Sequence, residues 1–157
     1  MIYLWSTNPT NIGSKLIQFG GQDRCSHFAK YYPAKGLVVE SRIQTGVRTT
    51  PYESWINEGN RIIFTIDMPF TSSDEELLAL DQPIIGLKYD RLGIFFLTIK
   101  TLLFGKFRRN RWASKEDYFC VEVVKTHEHL LANLGIPKRD WANMYPEELY
   151  EYLKERL

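Results

Sequence analysis

Polar and apolar residues alternate in short runs through the first part of the chain, and apolar positions recur every three or four residues further on. Ile2 to Ser6 reads as a short strand, Thr7-Asn8-Pro9-Thr10-Asn11 as turn chemistry, and Ile12 to Phe19 as a short helix closed by Gly20-Gly21. Cys25 to Tyr32 alternates as a strand, with Cys25, His27, Ala29 and Tyr31 on one face and Ser26, Phe28 and Tyr32 on the other. Pro33-Ala34-Lys35-Gly36 is a hairpin-length loop into a second strand, Leu37 to Arg42, so the two should pair antiparallel. Arg61 to Asp67 is the clearest strand, β-branched and bounded by Gly59-Asn60 and Pro69.

Helical signals lie between and after these strands. Gly46 to Pro51 leads into Tyr52-Glu53-Ser54-Trp55, a turn of helix after a proline. Thr71 to Glu76 supplies an N-cap and an acidic first turn for a helix through about Leu80, which Pro83 interrupts. Tyr89-Asp90 opens an apolar helix from Leu92 to Phe104. Ser114 then caps a helix with Glu116 and Asp117 in its first turn and Cys120, Val123, Val124, His127, Leu130, Leu131 and Leu134 on one face, ended by Gly135. Met144 to Leu149 starts a last helix that runs to Leu157. Strands come first with helices around them, which predicts an α+β plan.

At 157 residues, without repeats, low-complexity tracts or linkers, the chain is expected to form a single domain over 1–157. The 20 basic and 19 acidic residues give no bulk attraction to nucleic acid. A basic run, Lys106-Phe107-Arg108-Arg109-Asn110-Arg111, is the local exception, and a nucleic-acid module would rest on it alone. No signal peptide is legible at Met1 to Trp5, and the Leu92–Phe104 run is too short to span a bilayer, so the expected location is cytoplasmic as encoded. That run and its basic end suit a core or lid helix better than a peripheral membrane contact, which is left open. Two cysteines are too few for a disulfide scaffold and fit a reducing compartment or a catalytic thiol.

Cys120 is therefore either a small core residue or a nucleophile placed where helix-start N–H groups stabilise a thiolate and meet an oxyanion. A partner base decides between these. His27 lies six residues before Pro33 and Glu40 four after Gly36, so the hairpin sets them near each other within a residue or two of register. An acidic neighbour fixes an imidazole's tautomer and aim. Cys25, on the same predicted face as His27, is a packed residue or a resolving thiol for Cys120. No zinc-ligand spacing links Cys25, His27, Cys120 and His127, so no metal and no cofactor are expected.

The ordered set Ser26-His27-Phe28, Val39-Glu40, Thr50-Pro51 with Trp55, Lys88-Tyr89-Asp90 and Phe119-Cys120-Val121-Glu122 resembles the circularly permuted branch of the NlpC/P60 papain-like superfamily, over roughly residues 2 to 135. That family places a Ser-His pair on a strand before the nucleophile, a polar orienting residue on the next strand, and a Phe-Cys-Ser-Glu type motif at a helix start. Carried over, the resemblance implies Cys120 as nucleophile, His27 as base and Glu40 as orienting residue, on an antiparallel sheet packed against the cysteine helix. Ser26, Tyr89 and Trp55 become candidate substrate-binding residues. Val121 departs from the family's serine and removes a hydroxyl beside the nucleophile.

The expected chemistry is acyl transfer: Cys120 attacks an amide carbonyl, His27 protonates the leaving group, and water releases the acyl-enzyme. The partner would be a peptide or lipid-like small substrate, with hydrolysis of an amide or peptide bond, as in bacterial cell-wall peptides, favoured over lipid esters. The alternatives are a lipid-acting thiol acyltransferase or esterase, and a non-catalytic binding module on the same fold.

Overall fold

Short runs of β-branched and aromatic residues pair into a five-stranded sheet in the computed structural model, which describes residues 1–9, 14, 24–89, 120–141 and 144–157. The strands are β1 (Ile2–Thr7), β2 (His27–Tyr32), β3 (Leu37–Arg42), β4 (Gly46–Pro51) and β5 (Arg61–Asp67). Their order is β4-β3-β2-β1-β5 and every neighbouring pair is antiparallel. The helices are α1 (Tyr52–Asn57), α2 (Asp74–Asp81), α3 (Glu128–Asn133) and α4 (Pro146–Lys154). The architecture is α+β. The helix expected at Ile12 to Phe19, the apolar helix Leu92 to Phe104, the basic run Lys106 to Arg111 and the Ser114 cap lie outside the described residues.

Two expectations change. Gly46 to Pro51 is a strand, and Gly46 sits there with φ 72° because an added Cβ would strike the Leu87 carbonyl. Val47 and Gly86–Leu87 exchange backbone bonds of 2.8 Å, so this outer strand is partly covered. The segment Cys120–His127 is a 3-10 helix rather than α-helix, and regular α geometry starts only at Glu128. Val121, Val123, Val124 and Thr126 are poor helix formers, and the Val123 carbonyl accepts from Lys30 Nζ at 3.0 Å, which gives it a partner outside its own helix.

Side-chain alternation divides the sheet into two covered faces. Leu4, Ala29 and Val38 point to one, where α1 packs Trp55 against them. Tyr3, Trp5, Phe28, Tyr32 and Val39 point to the other and meet the segment that begins at Cys120, together with α2 and α4. On this second face Lys30 is fully buried and paired with Asp81 at the end of α2. Its ammonium also donates to Val123 O and, at 2.7 Å, to Thr126 Oγ1, so all three of its protons are used. Asp81 accepts besides from Tyr32 Oη and Thr126 Oγ1, each at 2.5 Å. Sheet, α2 and the cysteine-bearing segment are thereby tied at one point.

His127 closes this network at its lower edge. It is wholly buried, accepts from Tyr3 Oη at Nδ1 and donates from Nε2 to Leu77 O, both at 3.3 Å. Burial and the nearby Lys30 charge lower it to about 3, so it stays neutral. Replacing Lys30 by Met strands the Asp81 carboxylate in the core and should remove about 3–5 kcal/mol of stability, read as a lower urea midpoint. The double variant Lys30→Met, Asp81→Leu should recover most of that loss. A single variant as stable as the parent would show that the pair does not hold the layers together.

Candidate active site

The sequence of β2 and β3 brings an imidazole and a carboxylate together by register. Ala29 pairs with Glu40, so Glu40 is the diagonal neighbour of His27 on the same sheet face. His27 Nε2 donates to Glu40 Oε2 at 2.6 Å. His27 is the first residue of β2, at the rim of the sheet, and there its imidazole lies close enough to the Cys120 side chain for the two to interact electrostatically. With Nε2 engaged by Glu40, Nδ1 is the nitrogen left for sulfur. Glu40 thus holds the imidazole by a hydrogen bond, and Cys120 interacts with the same ring. Cys120 is 1% exposed and the His27 side chain 17% exposed.

Glu40 is held from four directions. Trp55 Nε1 donates to Oε2 at 2.7 Å, Arg42 Nε reaches Oε1 at 2.8 Å, and Arg48 donates to Oε1 through Nε and Nη2 at 2.9 and 2.7 Å. Glu58 then bridges Arg42 and Arg48 from outside. Burial alone would raise the Glu40 carboxyl, but the His27 hydrogen bond and charge, with Arg42 and Trp55, hold it well below the usual carboxylate range. Burial alone would likewise lower His27. Hydrogen bonds and charge from Cys120 and Glu40 override it and push His27 up to about 9.

A small polar cavity of about 60 Å³ opens beside His27. Among the described residues its wall includes Ser26, Tyr89, Arg42, Asn8 and Asn60. Ser26 and Tyr89 both line this cavity, with the Ser26 hydroxyl hydrogen-bonded to that of Ser14. Trp55, the third candidate, is not among the residues lining the cavity; it is buried behind Glu40, to which its indole donates. Cys25 is a correction. It precedes β2, which starts at His27, and belongs to the apolar cluster with Tyr3, Trp5 and Phe28 on the opposite sheet face. The regular strand begins two residues later than the alternation suggested.

Arg42 and Arg48 escaped the sequence reading. Glu40 and Arg48 lie equally far from the turn between β3 and β4 and pair directly across it, a symmetry that counting outward from Gln44 would have shown. Lys30, Asp81 and Thr126 had no such signal, because Asp81 arrives from a helix. Among the described residues no three His, Cys, Asp or Glu side chains converge as metal ligands. No helix among them is long and apolar enough to cross a membrane. No protein-family model matches this sequence, and no curated protein matches it.

The raised His27 has a consequence for stability. Below its ordinary value of 6.5 the imidazole is protonated folded or unfolded, and the Glu40 bond stabilises the fold fully. As pH rises through about 9 the folded imidazolium loses its proton and that contribution fades, by up to about 3 kcal/mol. An NMR titration of the ring should therefore give a midpoint near 9, falling in Cys120→Ser, which removes the sulfur from beside the ring. A midpoint near 6.5 in the parent protein would rule out the coupling.

Proposed function

We propose that the protein is a cysteine hydrolase of the permuted NlpC/P60 papain-like kind, cleaving an amide or peptide bond through a thioacyl-enzyme. The observation that carries this reading is an imidazole, hydrogen-bonded to the buried Glu40, that also interacts with the side chain of Cys120. A thiol beside an imidazole that stays protonated to about pH 9 favours a preformed thiolate–imidazolium pair. In the proposed cycle the Cys120 sulfur attacks the carbonyl carbon, forming a C–S bond. His27 passes its proton to the leaving nitrogen as the C–N bond breaks. His27, now neutral, takes a proton from water as the hydroxide adds, and the thiolate leaves to restore the pair. Glu40 keeps the ring aimed throughout and balances its charge.

A second reading has an observation of its own. Cys120 is almost completely buried, which also suits a packing residue in a binding module on this fold. Reactivity separates the two. Iodoacetamide labelling of Cys120 should stay fast at pH 6, where an ordinary thiol of pKa about 8.5 is protonated, and should be lost in His27→Ala. Amide hydrolysis, screened with short cell-wall-type peptides, should vanish in Cys120→Ser and fall roughly 100-fold in Glu40→Gln. Slow labelling at pH 6 that His27→Ala leaves unchanged would favour the binding module.

A further inference from the structure

One carboxylate in this protein holds two cations at the same cavity. Glu40 Oε2 takes His27 Nε2 at 2.6 Å, and Oε1 takes Arg42 Nε at 2.8 Å. Both cations line this cavity, His27 being the lining residue that also interacts with Cys120, and the lining among the described residues contains no Asp or Glu. The remaining wall is uncharged and mixed, with Ser26, Asn8, Asn60 and Gln44 as polar members and Ile43 as an apolar one. Arg42 is 19% exposed, and its ion pairs run through Nε to Glu40 and Nη1 to Glu58 at 2.7 Å, leaving Nη2 out of both. Ser6 stands directly across β1–β2 from His27, on the same face. Its buried hydroxyl has no hydrogen-bond partner among the described residues.

From this arrangement we infer that the cavity is a subsite for a carboxylate on the substrate, with Arg42 as the residue that selects it. The inference rests on the hydrolase reading and deepens it, naming an acidic peptide or amide as the substrate class. A cavity of about 60 Å³ takes a carboxylate or a few waters. A guanidinium clamped by two carboxylates presents its remaining edge in a fixed direction, so little side-chain freedom is lost when a planar anion meets it. A cationic substrate group would find no counter-charge among the described wall residues.

The test compares two alkylating reagents of nearly equal size, iodoacetate and iodoacetamide, which differ by a carboxylate against a carboxamide. Labelling rates of Cys120 are measured at pH 6 in the parent, Arg42→Gln, Arg42→Lys and His27→Ala proteins, each normalised to the same ratio for a small neutral thiol. The expected result is a normalised preference for iodoacetate of about tenfold or more, as one charge-assisted hydrogen bond supplies. Arg42→Gln should lose it and Arg42→Lys should retain part of it. Any slackening of Glu40 slows both reagents alike, so the ratio isolates the subsite.

A preference that survives Arg42→Gln belongs to the imidazolium alone and overturns the assignment. Fast, His27-dependent labelling with no preference for iodoacetate overturns the carboxylate subsite and leaves the hydrolase reading standing. Slow labelling by both reagents, unchanged in His27→Ala, brings down the hydrolase reading and the subsite with it.

Discussion

The buried Lys30–Asp81 pair is the constraint from which the rest of this arrangement follows. Two charges withdrawn from water are tolerated only where geometry satisfies them completely, and here each has a full set of partners. Those partners come from β2, α2 and the Cys120–His127 segment, so meeting the electrostatic demand also sets where that segment lies on the sheet. Apolar packing of Phe28, Val121 and Val124 supplies most of the adhesion but is non-directional. The ionic network supplies the register that packing lacks, and with it the height at which Cys120 meets the rim.

A second buried carboxylate does the corresponding work on the other face. Glu40 and Asp81 each organise a cluster, and each has a histidine in its cluster, yet the two histidines are driven in opposite directions. His27 is hydrogen-bonded to the Glu40 carboxylate and rises to about 9; His127 falls to about 3, lowered by burial and the Lys30 charge, although Asp81 lies 3.8 Å away. The difference lies in whether a directly bonded carboxylate outweighs the cost of burying the charge. One imidazole is thereby kept charged at a rim, where a reacting group can reach it, and the other kept neutral in the core, where a charge would be costly. Paired groups whose environments push them apart are a common mark of acid–base sites.

Glu40 also shows how support and specificity can share one atom group. The carboxylate that holds His27 also fixes Arg42, so the same two oxygens position both cations that line the cavity. Trp55 completes the cage, and its burial by α1 shields the cluster from solvent competition on that side. Shielding strengthens each of these bonds relative to the same bond in water.

What the sequence by itself determined is what local chemistry can specify. Alternation and turn residues predicted β1, β2, β3 and β5, the Ser73–Glu76 capping box marked α2, and the short loop after Tyr32 brought His27 and Glu40 within reach. Only the tertiary structure decided the exceptions. Cys120–His127 is 3-10 because a lysine from another strand takes one of its carbonyls, and Trp55 is a support rather than a contact residue because α1 folds it under the sheet. Asp81 meets Lys30 across 51 positions of sequence, and His27 meets Cys120 across still more. Periodicity reports which face of an element is apolar; it carries no information about which distant element will cover that face. The charges that set the two histidines apart come from such distant elements, so their states belong to the fold.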